Sequence, residues 1–299
     1  MQLRNMYKVF KSYELDNPSQ YDWFRKFSNP CYGMNVKVDV TEVVKTSKES
    51  GTSFFANVLF LLTTALNSVP EMRMREVKNE IRLYDVINPT FTVMTDSGKF
   101  VNAGFKMTND YKEFYDTTRR IIDEKKKQTT FTAEYNDSSD YDDYYMTCLP
   151  WISVESLMHP LPDNNIESSS CPRIGWDKYR EENGRYVMTL NITVSHCFVD
   201  GKRLSDAFAA IQRNFDNAAT LLRETALRAE IHKTKSYMPK SSNKKPSHKR
   251  GFLFGKIIRV LPFRCILRSG YALLFRSLRR VLSRLRVSLL QAVRSGFHP

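Results

Sequence analysis

The chain has 299 residues and a formal net charge of +14, with 41% hydrophobic and 12% aromatic residues. That is the composition of a globular protein long enough to bury a core, and no charge-free apolar run reaches the length of a membrane span. Its five cysteines lack C-x-x-C spacing and its five histidines are dispersed, which excludes the usual zinc patterns; reduced thiols in a cytoplasm and no metal are expected.

The start, Met1 to Ser12, has no apolar stretch followed by a small-residue cleavage site, so no secretory signal is expected. Met34 to Val40 alternates Val36, Val38 and Val40 with Lys37 and Asp39, the two-residue period of a half-buried strand. From Thr52 to Val69 the apolar residues Phe55, Val58, Leu59, Leu62, Ala65, Leu66 and Val69 recur at helical spacing, with Ser53 as cap and Pro70 as stop. Strand-like pieces follow at Glu80 to Asp85 and Thr90 to Met94, then an amphipathic helix using Tyr111, Phe114, Tyr115, Thr118, Ile121 and Ile122. Thr129 to Tyr145 turns to Asp, Ser, Tyr and Thr and reads as a surface loop of solvated acid. Met146 to Val154 reads as a strand, and two more, Ile174 to Tyr179 and Arg185 to Ser195, face each other across Glu181-Glu182-Asn183-Gly184, where Asn-Gly is a hairpin signal. A helix beginning near Lys202 carries Leu204, Ala207, Phe208, Ile211 and Phe215 on one side. Residues 1–230 thus form a mixed α/β domain.

The net charge belongs to the end of the chain. Residues 231–299 hold 17 of the 46 basic residues and none of the 32 acidic ones, leaving 29 basic against 32 acidic in the first 230. Residues 231–250 have the Ser, Asn, Lys and Pro of a basic flexible linker, and 251–299 interleave arginines with Leu, Ile, Val and Phe. A basic amphipathic helical extension without acids suits an anionic membrane surface. Nucleic acid is a competing but lesser partner for such a run, and an extension without a partner is the third reading.

The chemistry points to His196. In Arg185 to Ser195 the residues Tyr186, Met188, Leu190, Ile192 and Val194 share one face; His196 continues that face at the strand's end, before Cys197-Phe198-Val199-Asp200-Gly201 and a helix. A rigid strand beside an opening is where a reactive group is held for substrate. A hydroxyl attacking a thioester needs a base with a pKa near the working pH, which imidazole supplies. Asp200, four residues on, lies across a tight turn, where it fixes backbone rather than relays a proton.

Val194-Ser195-His196-Cys197-Phe198-Val199-Asp200-Gly201 resembles the signature of the chloramphenicol acetyltransferase family, H-H-x-x-x-D-G after a strand. Other blocks follow in family order: Tyr21-Asp22-Trp23-Phe24, Asn29-Pro30-Cys31, Glu71-Met72-Arg73-Met74, Asn88-Pro89-Thr90-Phe91-Thr92-Val93, Thr147-Cys148-Leu149-Pro150-Trp151 and Lys178-Tyr179. The resemblance implies a sandwich of a mixed sheet with packed helices, assembled as a homotrimer with active sites at subunit boundaries. It implies an acetyl-CoA-dependent O-acetyltransferase acting on a small hydroxylated acceptor, chloramphenicol or a related alcohol, in the cytoplasm or peripherally on the membrane's inner face. By resemblance His196 is the base, Thr147 donates to the oxyanion, and Asp200 completes the signature. Trp151, Tyr179 and Phe55 line the coenzyme passage, and Phe24, Cys31 and Phe105 lie around the acceptor. The family's paired histidines appear here as Ser195-His196, and Val199 replaces a cysteine. The family's early arginine, partner of the signature aspartate, falls near Asn17-Pro18, where this chain has none. Asp200 therefore has another partner, is more exposed, or belongs to a degraded site. The last case is a second hypothesis: a trimeric relative without catalysis, acting as a membrane-associated binding protein.

Overall fold

The computed structural model describes residues 6–129 and 141–223. The linker at 231–250 and the basic extension at 251–299 lie outside the described residues, as does most of the expected acidic loop. β1 (Tyr7–Phe10) leads into α1 (Pro18–Phe24). Asn17 caps that helix by accepting from the Gln20 amide at 3.1 Å, and Pro18 supplies the fixed φ of a first helical position. β2 (Cys31–Asp39) starts three residues before the predicted strand. Directly after it comes α2 (Thr41–Ser50), a helix that the sequence reading missed. Its buried face is Val43, Val44, Thr46 and Ser47, with too few apolar positions to draw a helical stripe. Asn57 donates to Ser47 Oγ at 2.9 Å and satisfies that polar face. Gly51, at φ 66°, ends the helix in the left-handed region that glycine adopts freely.

α3 (Phe54–Asn67) has the expected cap, Ser53, and is buried nearly all round. β3 (Met74–Val77) and β4 (Glu80–Tyr84) form a hairpin over Lys78-Asn79, and β1 joins β4 to complete a small antiparallel sheet. The main sheet adds β5 (Asn88–Met94), β6 (Phe100–Gly104), β7 (Asp143–Leu149), β8 (Arg173–Asp177), β9 (Arg180–Glu182) and β10 (Arg185–Ser195). The helices among them are α4 (Tyr111–Lys126), the short α5 (Ile166–Ser169) and α6 (Gly201–Asp216). Strand order is β2-β10-β8-β7-β5-β6 with β9 paired to β10. β7 runs parallel to both β5 and β8, and the other pairs are antiparallel. This is the mixed sheet with packed helices that the resemblance implies.

One face of the sheet is apolar. Phe91, Met146, Ile174, Trp176, Leu190 and Ile192 are buried in one cluster with Leu59 of α3, Phe114 of α4 and Ile211 of α6. The other face carries Tyr145, Thr147, Arg173, Gly175, Asn191 and Thr193, and it is partly buried as well, Asn191 being 2% exposed. Residues 150–165 cross this polar face. Leu157 N donates to Asn35 Oδ1 at 2.9 Å, Val154 N to Asp177 Oδ2 at 2.9 Å and Thr189 Oγ1 to the Val154 carbonyl at 2.6 Å.

Three expectations are corrected. The strand predicted at Met146 to Val154 begins at Asp143 and stops at Leu149, because Pro150 cannot continue a ladder. Asp142 and Asp143, expected as solvated acid, are each 3% exposed; Asp142 accepts from Lys106 at 2.9 Å and from Asn88 at 3.0 Å. The Asn183-Gly184 turn joins β9 to β10, while β8 meets β10 further along, at Trp176 against Leu190. The polar side of Arg185 to Ser195 is buried as well, because the chain from Pro150 onward lies over it. Among the described residues no helix is long and apolar enough to cross a membrane, and no cluster of metal-ligating side chains is found.

Candidate active site

His196 stands one residue past β10. Its amide donates to the Pro30 carbonyl at 2.9 Å and its own carbonyl accepts from Gln20 Nε2 at 2.7 Å, which ties the strand's end to α1 and the approach to β2. The imidazole is half-buried and stacks on Phe24, with centroids 4.0 Å apart and planes 10° apart, and Tyr32 lies 4.5 Å away. Nδ1 is buried without a hydrogen-bond partner among the described residues. Cys31 lies opposite Ser195 in the β2–β10 register, and its thiol donates to the Ser169 carbonyl at 3.3 Å. Of the three residues expected around the acceptor, Phe24 and Cys31 thus lie at the histidine. Phe105 lies elsewhere, packed edge-on against Phe91 and Phe114 beside the core.

Asp200 is half-buried and caps α6, its Oδ1 accepting from the Arg203 amide at 2.8 Å. A carboxylate at a helix N-terminus meets unpaired amides and the positive end of the dipole. The turn between is closed by bonds from Phe198 N and Val199 N to the Ser195 carbonyl, at 3.2 and 3.1 Å. Arg203 directs its guanidinium to Glu71 at 2.8 Å and Asp16 at 3.0 Å.

Thr147 lies in β7 with its hydroxyl 3.0 Å from that of Thr92. Both line a groove of about 790 Å³ together with Phe54, Phe55, Cys148 and Trp151. Trp151 is 60% exposed, and Phe55 stacks on Trp176 at 5.6 Å. Tyr179 packs on Phe54 at 4.8 Å, behind the groove wall. Arg119 and Lys126 also line the groove. Of the three residues expected along the coenzyme passage, Phe55 and Trp151 line this groove with Thr147, and Tyr179 does not.

The two groups are far apart within one chain. Thr147 pairs with Gly175 and Gly175 with Asn191, five residues short of His196. At a rise of about 3.4 Å per residue and a strand spacing of about 4.8 Å, Thr147 and His196 are roughly 20 Å apart. Within one chain, Thr147 and His196 do not form a single site. His159 and Arg173, beside Thr147, were not singled out from the sequence; a lone histidine after a loop and a lone arginine opening a strand give no pattern to read. The described cysteines offer no nucleophile. Burial raises the thiols of Cys31 and Cys171, pushes Cys197 up to about 11, and with Asp177 pushes Cys148 up to about 12, so none is a thiolate at neutral pH.

The family model of chloramphenicol acetyltransferase matches residues 9–212. Chloramphenicol acetyltransferase 3 of Escherichia coli is 24% identical over 180 residues, 60% of this chain and 83% of that protein. The chloramphenicol acetyltransferase of Campylobacter coli is 25% identical over 200 residues, 64% and 91%. A solved chloramphenicol acetyltransferase superposes with a TM-score of 0.66 at 25% identity, over 70% of this chain and all of that one. A probable dihydrolipoamide acetyltransferase from Listeria monocytogenes shares the fold, with a TM-score of 0.50 at 15% identity, over 67% of this chain and 90% of that one. With the family match running from β1 into α6, the chain belongs to the chloramphenicol acetyltransferase family.

Proposed function

We propose that this protein is an O-acetyltransferase that moves the acetyl group of acetyl-CoA to a hydroxyl of a small acceptor, chloramphenicol or a related alcohol, with His196 as general base. The observation that carries this reading is the state of His196: a half-buried imidazole clamped by rings at a strand's end, with Nδ1 unbonded among the described residues. The imidazole takes the acceptor's hydroxyl proton as that oxygen attacks the thioester carbonyl. The oxyanion accepts from Thr147 of an adjoining copy, a contact worth ~3 kcal/mol. Thr92 lies within hydrogen-bond distance of Thr147 and can orient that hydroxyl. When the carbon–sulfur bond breaks, the imidazolium returns its proton to the leaving thiolate. Raised thiol pKa values favour this direct transfer over an acyl-cysteine route.

The groove fits the donor. Its apolar walls, Phe55 and Trp151, suit a thioester arm, and Arg119 and Lys126, without ion-pair partners among the described residues, suit phosphates. The roughly 20 Å between Thr147 and His196 supports assembly as a homotrimer in which each site uses two copies. A chromogenic thiol-release assay with acetyl-CoA and chloramphenicol tests the reading. His196→Ala should lower turnover by at least about 10²-fold with the oligomer's mass unchanged. If no hydroxylated acceptor releases thiol, the reading fails. The lack of an arginine near Asn17-Pro18, where the family's early arginine falls, favours a second one: a non-catalytic member held at an anionic membrane by its basic extension. Co-sedimentation with anionic liposomes, lost on truncation after Lys249, supports that attachment; binding that survives truncation rules it out.

A further inference from the structure

Next to Thr147, on the sheet face opposite the core, is a second hollow of about 160 Å³ lined by Thr92, Tyr145, Thr147, His159 and Arg173 among others. It is small beside pockets for drug-sized ligands, which run from about 300 to 1,000 Å³. Arg173 is 8% exposed, and its partners among the described residues are all neutral. Nη1 donates to the carbonyls of Ser168 and Cys171 at 3.1 and 3.2 Å, Nη2 donates to Ser168 Oγ at 3.0 Å, and the guanidinium lies 5.4 Å from the centre of the Tyr145 ring. A guanidinium carries five hydrogens in a planar fork, so two remain for something in the hollow. His159 shares this wall, with its Nε2 buried and unbonded. Burial, and then the Arg173 charge, hold that imidazole down at about 4, so at neutral pH it is uncharged and hydrogen-bonds without adding charge.

The sheet register fixes how this cation relates to the reacting centre. Tyr145 pairs with Arg173 and Thr147 with Gly175, so Arg173 is one strand across and two residues back from Thr147, on the same face. That separation is about 8 Å between Cα atoms. If Arg173 only braced the turn at Ser168 to Cys171, its bonds there would suffice and the rest of the fork would need no hollow. A buried cation without a counter-ion is matched by a carboxylate or phosphate, whose oxygens meet the fork in pairs.

We propose that this hollow is the anion-binding half of the acceptor site: the acceptor is a short hydroxylated carboxylate or phosphate monoester whose anion docks on Arg173 and whose hydroxyl, a few bonds away, reaches Thr147. The proposal rests on Thr147 marking the place of acetyl transfer; it narrows the small hydroxylated acceptor to an anionic one, in place of neutral chloramphenicol, and makes charge the main selector among acceptors.

The full chain is assayed with acetyl-CoA and matched acceptors: 3-hydroxybutyrate against 3-hydroxybutyramide, glycerol 3-phosphate against glycerol, and chloramphenicol as a neutral reference. At least one anionic member should exceed its neutral partner in kcat/KM by about tenfold or more. Which pair responds separates carboxylate from phosphate. Arg173→Met should erase the preference, mainly through KM, and Arg173→Lys should restore part of it, since charge returns without the fork. Acetate or inorganic phosphate, which lack a hydroxyl, should compete with the anionic acceptor; this holds the test on the native chain if Arg173→Met fails to fold. Thiol release with chloramphenicol and neutral partners that match the anions would overturn the proposal while leaving acetyl transfer intact. If no acceptor releases thiol, the transfer reading fails, and ligand-observed NMR with 3-hydroxybutyrate and glycerol 3-phosphate decides. Binding that Arg173→Met abolishes upholds the anion site, and absence of binding overturns it.

Discussion

Asp200 offers a test that separates a capping role from an electrostatic one. Its Oδ1 accepts from the Arg203 amide at 2.8 Å, and its backbone, at φ −95° and ψ 178°, has the extended geometry of a residue just outside a helix. Arg203, three residues on, gives its side chain to Glu71 and Asp16. Removing a capping oxygen costs about 1 kcal/mol, whereas asparagine retains an acceptor of the same reach. With a urea slope of about 2 kcal/mol/M, Asp200→Ala should lower the unfolding midpoint by roughly 0.5 M. Because the turn to α6 directly follows His196, the same change should also reduce thiol release. Asp200→Asn should hold its midpoint to within a few tenths of a kcal/mol of wild type and keep most activity. Tryptophan-fluorescence unfolding and the thiol assay, run on all three proteins, give both readings. If asparagine falls as far as alanine in both, the charge is what matters, and the cap does not explain how this chain manages without the family's arginine.

Two further outcomes concern the sheet. Burial, and then Asp142, push Asp143 up to about 7 from its ordinary 3.8. Between those values the folded state binds more protons than the unfolded one, so this group's contribution to stability falls as pH rises from about 4 to 7. Asp143→Asn should flatten the dependence of Tm on pH across that window, and identical slopes would contradict the assignment. At Gly175 an added Cβ would sit 2.7 Å from Leu157 Cδ2 and 3.2 Å from His159 Cε1. Gly175→Ala should therefore displace the segment over the polar face and cost about 1–3 kcal/mol, and an unchanged Tm would show that the segment gives way freely.

Much of the fold is legible because its apolar residues keep a clean period. α3, α4, α6 and the β10 strand show theirs, and Ser53 and Asn183-Gly184 mark a cap and a turn by their chemistry. α2 escapes because it buries Thr46 and Ser47 beside its two valines. Asp142 and Asp143 mislead because an acid-rich run is normally solvated; only the approach of Lys106 and Asn88, distant in sequence, shows why Asp142 is buried. The strand-turn-helix holding His196 and the Thr147 block can each be found from local residues. That they lie far apart in one chain follows from strand register, a tertiary property without a local trace. Arg173 and His159 are hidden for the same reason, since each matters only through the hollow they share.

The most direct test of the account mixes two inactive proteins. Thr147→Ala should lose about 10²- to 10³-fold in turnover, and His196→Ala should be at least as impaired. After the two are unfolded together and refolded in equal amounts, a site built from neighbouring copies in a closed ring finds both native residues in about one quarter of cases. The account predicts activity near a quarter of wild type. A mixture no more active than the sum of its parts would show that Thr147 and His196 do not meet across two chains.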